Sequence, residues 1–238
     1  MNQIPLFQKK PHIFGLSDHH IEKDNEFFLT PKATREFKAL KKKALDDGIE
    51  LTILSSFRSF EDQKKIWNAK ALGERPVLDD ESKPHKRENF TEKEWVFAIL
   101  RWSAFPGLSR HHWGTDFDVY DQAALKTNPH FKVQLIPSEY ETGGPFEKLG
   151  NFLHFYINNS SEPSPFFRPY RRDLGGVAVE PWHLSLKSEA NEYLKCLNQH
   201  HFYEFLNSSF CEDIEFIEII RSYHLEILER FAFNVSET

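Results

Sequence analysis

Cysteine is scarce in this chain. Its two thiols, Cys196 and Cys211, fall late among 238 residues. They are too few for a disulfide framework, and their spacing matches no metal motif. A reduced compartment is the expectation, with one optional disulfide as the alternative. Basic excess is also missing: 30 Lys and Arg stand against 36 Asp and Glu, a net charge of −6. A general nucleic-acid binder needs a basic surface, so that class is excluded, whereas a local basic pocket for a small anionic substrate is not. No apolar run approaches the roughly 18 residues of a membrane helix. The N-terminal residues, punctuated by Pro5 and Pro11, lack the basic start and the apolar stretch of about 7–15 residues of a secretory leader. The expectation is a soluble, cytoplasmic protein that engages neither nucleic acid nor membrane. Internal repeats and low-complexity linkers are absent as well.

What the chain has is aromatic mass. Aromatic residues make up 15% of it, with 23 Phe, and hydrophobic residues 39%. That describes a folded protein with a large core, ordered except at the termini and one internal loop. Residues 1–29 read as an irregular arm. Thr30 caps a helix with Pro31 at its first position and Gly48 closing it, and Ala33, Phe37, Leu40 and Ala44 form its inward face. Residues 50–56 read as a strand. Ser59 and Asp62 then form a capping box for a helix to about Gly73, which leaves Arg58 at the strand-to-helix junction. Residues 74–90, with Pro76 and Pro84, read as a long surface loop that could cover a site. Thr91 and Glu94 open the next helix, which carries Trp95, Phe97, Ile99, Leu100 and Trp102.

Strands are predicted at 116–120, at 177–180 and at 183–186, and a helix after Pro145. Between these, 158–173 reads as a loop carrying Arg168, Arg171 and Arg172, which either decorate the surface or bind carboxylates. From Ser188 the chain is helical. Its last piece, 212–232, places Ile214, Ile217, Ile220 or Tyr223, Ile227 and Phe231 on one face. The organisation is therefore one α+β domain over 30–187, preceded by the arm and followed by a helical extension, 188–238, packed on the same domain.

Two polar clusters carry chemistry. The stretch from Ser109 to Asp118 holds His111, His112, Gly114, Asp116 and Asp118, a density of metal-competent side chains that is costly to bury without an ion or a strong hydrogen-bond network. His111 and Asp118 suit a loop leading onto a strand, with Gly114 allowing a sharp turn between them. A catalytic zinc site needs a third protein ligand, for which His183 is well suited. Glu180 stands three residues before it. On an ideal strand the two would face opposite ways, but Pro181 permits a bend that turns both toward one ion, with Glu180 as general base. Each cluster alone has a plainer reading: a hydrogen-bonded histidine pair, polar positions on a half-exposed strand, a tight turn. Trp113 and Trp182 either wall a pocket or pack behind it.

Ser109-x-His111-x-x-Gly114-x-Asp116-x-Asp118, followed by Glu180-x-Trp182-His183, resembles the signature of the VanY-type D-alanyl-D-alanine carboxypeptidases, zinc peptidases related to the VanX dipeptidase. Ser56-Phe57-Arg58-Ser59-x-x-x-Gln63 looks like a third element of that family, and together the three span about residues 50–187. The resemblance implies a small, mainly antiparallel sheet flanked by helices. It implies zinc held by His111, Asp118 and His183, Glu180 as catalytic base, and Arg58 polarising the scissile carbonyl. Ser109, Gln63 and Ser56 would contact the peptide, including its terminal carboxylate. Asp116 departs from the family by standing where many relatives have Ala. The family is usually exported or membrane-anchored, whereas a cytoplasmic protein is expected here. The implied activity is removal of a C-terminal D-alanine from peptidoglycan stem peptides or muropeptides. The expected compartment leans this toward L,D-cleavage of tetrapeptides in recycling. A D,D-carboxypeptidase or dipeptidase, and a metal-stabilised wall-peptide binding module without catalysis, are the alternatives.

Overall fold

The computed structural model describes residues 4–24, 26–126, 129–158 and 163–236. The N-terminal arm is more ordered than expected. It forms a one-turn α1 (Leu6–Lys9), a 3-10 turn over Pro11–Phe14, and a short antiparallel ladder of β1 (Glu22–Lys23) with β2 (Phe28–Leu29). Burial explains the order: Phe7, Ile13, Phe14 and Leu29 all lie inside. Residues 1–3 and 25 of that arm lie outside the described residues.

Helix α2 (Pro31–Asp46) begins where predicted, with the Thr30 hydroxyl accepting from the Ala33 N–H, and it buries Ala33, Phe37, Leu40 and Ala44. Next come β3 (Leu51–Ser55) and α3 (Phe60–Ala71), the latter capped by Ser59, and then α4 (Glu92–Leu100) with both arms of the Thr91–Glu94 capping box made. The segment between α3 and α4 carries only a Leu78–Pro84 bridge and a 3-10 turn at Arg87–Asn89. Strand β4 (Asp116–Asp121) leads into the single turn α5 (Gln122–Leu125), followed by α6 (Glu147–Asn158).

Two expectations fail between 163 and 186. Val177–Glu180 is not a strand: the Ala178 N–H donates to the Arg101 carbonyl and the Glu180 N–H to the Tyr170 carbonyl, so the segment is tied to loops rather than to a ladder. The strand that does form is β5 (Phe166–Phe167), inside the predicted loop; its two Phe side chains are buried. Residues 159–162 of that loop lie outside the described residues. Strand β6 (His183–Leu186) is as predicted.

The sheet order is β3-β4-β6-β5, antiparallel throughout, with Ser55 and His183 flanking Asp118 in register. Strand β4 is central and covered on both faces. Phe117 and Val119 point into a core shared with α2 and α6, and Asp116 and Asp118 point the other way by strict alternation. The helical remainder comprises α7 (Lys187–Cys196), α8 (Gln199–Leu206), α9 (Ile217–Ser222) and α10 (His224–Ile227). The predicted continuous helix over 212–232 is broken. Phe216 takes a left-handed conformation (φ 61°), and the helical stretch after α10, Leu228–Phe233, is π-helical. Ile214, Ile220, Ile227 and Phe231 are nonetheless buried. They share a second core with Phe14, Trp67, Trp95, Phe105 and Trp113, so arm, α3, α4 and C-terminal helices form one packed half. Among the described residues no helix is long and apolar enough to cross a membrane.

Candidate active site

Asp118 occupies the centre of the site because β4 lies between β3 and β6. The register sets His183 directly across from it, and a 3-10 turn, Arg110–Trp113, brings His111 over the same strand face. Gly114 closes that turn at φ 64°, where a β-carbon would overlap Ile21 and press on the Thr30 backbone. The required turn and the close approach both exclude a side chain there. His111 Nε2 lies 3.3 Å from one Asp118 oxygen, and His183 Nδ1 lies 3.1 Å from the other. The three residues present ligand atoms within 4.8 Å of one another, all buried.

The far side of each imidazole fixes its tautomer. His111 Nδ1–H donates to the Ser56 carbonyl at 2.9 Å, and His183 Nε2–H to Asp116 at 3.0 Å. Both remaining lone pairs therefore face Asp118, an arrangement in which outer partners orient metal-binding histidines. Asp118 Oδ1 is buried and accepts no hydrogen bond. Two lone pairs and an orphaned carboxylate oxygen aimed at one point repel one another unless a cation or a proton sits between them. The 3.1 and 3.3 Å spacings are close to the ~3.3 Å edge of a tetrahedral site with arms of about 2.0–2.1 Å. The donor set fits zinc, as expected from the sequence.

Electrostatics point the same way. Burial alone would raise the Asp118 carboxyl, but His111 and then His183 hold it far below the usual carboxylate range. Burial would lower His183, but Asp116, Asp118 and Glu180 raise it well above an ordinary imidazole. Asp116 is fully buried and, despite that, lowered to about 2 by Arg110 and His183. It accepts from Arg110 Nε (2.7 Å), Thr115, Ser185 and His183, so its role is to orient His183 rather than to offer a free ligand oxygen.

His112 resolves the ambiguity of the histidine pair. It is fully buried, accepts from the Gly107 N–H at Nε2 (3.0 Å) and donates from Nδ1 to the Arg58 carbonyl (2.7 Å). Burial lowers its pKa to about 3, so it is a neutral structural link. Pro181 delivers the expected bend: the His183 N–H reaches the Glu180 carbonyl in a turn, and Glu180 Oε2 comes within 3.3 Å of His183 Nδ1.

These groups open onto a cavity of about 320 Å³, lined by Arg58, Ser109, His111, Asp118, Glu180 and His183 together with Trp102, Tyr170 and Trp182. Arg58 is held by Gln63 Oε1 and the Ser55 hydroxyl, both at 2.8 Å, which take two of its five N–H donors. Ser109 lines the cavity. Gln63 and Ser56 do not. Gln63 is fully buried, with its amide donating to the Ala104 carbonyl and its oxygen accepting from Arg58. The Ser56 hydroxyl accepts from the Phe28 N–H, and its carbonyl orients His111. Both position other site residues. Trp182 lines the cavity and packs on Tyr140, whereas Trp113 lies in the core with its N–H on the Ile13 carbonyl. Arg168, Arg171 and Arg172 lie off the cavity.

Lys70, Arg75 and Tyr170 also line the cavity and Arg110 supports it, although sequence reasoning gave them no role. For Arg110 a signal existed: a cation six residues before Asp116, which departs from the family pattern and is neutralised by it. For Tyr170, whose ring lies 5.1 Å from that of His183, a loop position offered none.

A family model described as VanY, D-alanyl-D-alanine carboxypeptidase, matches residues 26–188. Two proteins of Haemophilus influenzae, both described as uncharacterized, are 38% identical over 97 residues (41% of this chain, 64% of the relative) and 39% identical over 77 residues (32% and 56%). The chain thus spans less than two thirds of either relative's length. Similar solved structures include VanYB in complex with D-alanine-D-alanine, at 20% identity, TM-score 0.49, over 79% of this chain and 88% of that one. The LdcB LD-carboxypeptidase aligns at 21% identity, TM-score 0.46, over 76% and 71%.

Proposed function

Because the chain belongs to the VanY family of D-alanyl-D-alanine carboxypeptidases, we propose that it is a zinc-dependent carboxypeptidase releasing the C-terminal D-alanine of peptidoglycan stem peptides. The observation that carries this reading is Glu180 beside the His111–Asp118–His183 cluster, since a module that only binds has no need of a base there. Zinc held by these residues supplies a Lewis acid and lowers the pKa of a bound water to about 7. Glu180 takes a proton from the attacking water and returns it to the leaving amine. Arg58 shares the negative charge that develops on the carbonyl oxygen, and its Gln63 and Ser55 contacts keep it oriented before substrate arrives. Asp116 and the Ser56 carbonyl hold the two imidazoles with lone pairs inward throughout.

The bond proposed is the L,D-bond of a tetrapeptide stem. The description of the family favours a second reading, the D,D-bond of a pentapeptide. Mass analysis after incubating the zinc-loaded protein with tri-, tetra- and pentapeptide muropeptides separates them. Alanine loss from the tetrapeptide alone supports the L,D reading, and loss from the pentapeptide alone supports the D,D reading. Cleavage of neither overturns the carboxypeptidase assignment.

A further inference from the structure

Part of the cavity lining is cationic. Helix α3 runs along it with Gln63, Ile66 and Lys70 at positions i, i+3 and i+7, one helical face. Gln63 at the start of that face fixes Arg58, while Ile66 and Lys70 reach the cavity itself. Arg75, just beyond the helix, lines the same wall. Two other cations of the site have partners: Arg58 has Ser55 and Gln63, and Arg110 has Asp116 and Ser185. Among the described residues the Lys70 ammonium makes no hydrogen bond or ion pair. Burial lowers its pKa to about 8, with Glu180 drawing it up and Arg58 and Arg75 pushing it down. Lys70 therefore stays mainly charged at neutral pH, within the electrostatic reach of Glu180.

A half-buried ammonium without a partner destabilises the fold unless something binds it. An acidic side chain on this wall would satisfy it, and none is there. Gln63, expected to reach substrate, is turned away, which leaves Lys70 as the α3 side chain facing the cavity with hydrogen-bond donors. We propose that Lys70, assisted by Arg75, binds a carboxylate of the peptide substrate and so determines which peptides are accepted. This inference rests on the carboxypeptidase reading. The carboxylate belongs either to the substrate's C-terminus or to an acidic side chain near the scissile bond, and the charge recognised is the same.

The test uses the zinc-loaded full chain, wild type, Lys70→Met and Lys70→Arg. The substrates are a peptide ending in D-alanine with an acidic residue before it, the same peptide amidated at that side chain, and the same peptide amidated at its C-terminus. Release of D-alanine or D-alaninamide is followed to obtain kcat and KM. Lys70→Met is expected to raise KM roughly tenfold to hundredfold with little change in kcat, by loss of a charge-assisted contact. Lys70→Arg is expected to restore most of the loss. The amidation that abolishes the difference between wild type and Lys70→Met identifies the carboxylate. Lys70→Met should melt no lower than wild type, because it removes a buried unpaired charge. An unchanged KM on all three peptides overturns the proposal, as does a lowered melting temperature with equal losses on all. Absence of release by the wild type removes the carboxypeptidase reading itself, and this inference with it.

Discussion

The two walls of the cavity are built by different halves of the molecule and differ in how completely they are satisfied. On the sheet wall, His111, His183 and Asp116 have their outward atoms bonded; Asp118 Oδ1 and the inward lone pairs converge on one point, and of Arg110 only the buried Nη1 lacks a partner. On the helical wall, Arg58 is fixed but Lys70 is not. A wall whose ligand residues are braced suits a resident ion whose geometry must not change. A wall with an unpaired cation suits a group that comes and goes. The difference assigns chemistry to β4, β6 and the Arg110–Trp113 turn, and recognition to α3.

The strongest way to break this division is to remove a ligand from the braced wall. His183→Ala and His111→Ala should each lower zinc content from about one per chain to near zero by elemental analysis. Stoichiometric zinc in either would refute a three-residue site. Arg58→Ala crosses between the walls, and kcat should fall roughly 10²–10³-fold, in line with loss of one oxyanion donor, with zinc retained. A fall in zinc content alongside kcat would place Arg58 in the braced wall instead. Asp116→Asn keeps the shape of the bracing but weakens its charge on His183, and zinc affinity should drop about 10- to 100-fold in chelator competition. An unchanged affinity would make Asp116 dispensable to the site.

The smallest effect concerns His112, buried and neutral behind both walls. Its folded pKa, about 3, lies below the ordinary 6.5. A lowered imidazole pKa gives stability that is complete above pH 6.5 and lost as pH falls toward 3, because only the unfolded chain takes up the proton. Between pH 8 and pH 5 that amounts to about 2 kcal/mol. Urea unfolding at the two values should show the drop, and His112→Gln should flatten it. An equal slope in both proteins would place the proton elsewhere.

Much of the braced wall was legible in the sequence because its parts are local. Ten residues carry both the turn that holds His111 and the strand that holds Asp118, and Pro181 sets the bend that turns Glu180 toward His183. Strand alternation also separates Asp116 and Asp118 from Phe117 and Val119. The helical wall was less legible because its meaning comes from docking. Nothing local says that Gln63 turns to Arg58 and Ala104 while Lys70, two turns on, reaches the cavity. Ser56 was misread for the same reason: its partner, the Phe28 N–H, comes from an arm expected to be irregular. The extended run at 177–180 and the short β5 exchanged places because strand propensity does not say which backbone groups a neighbouring loop will claim. The break at Phe216 lies in an apolar pattern that reads as one helix, and packing against α3, α4 and α8 overrides it.

The central claim, that a base acts beside a braced metal site, is tested most directly by Glu180→Ala with zinc content and D-alanine release measured on the same sample. The expected result is about one zinc per chain and release reduced at least 10²-fold from the muropeptide that the wild type cleaves. Release at the wild-type rate with zinc in place would contradict it.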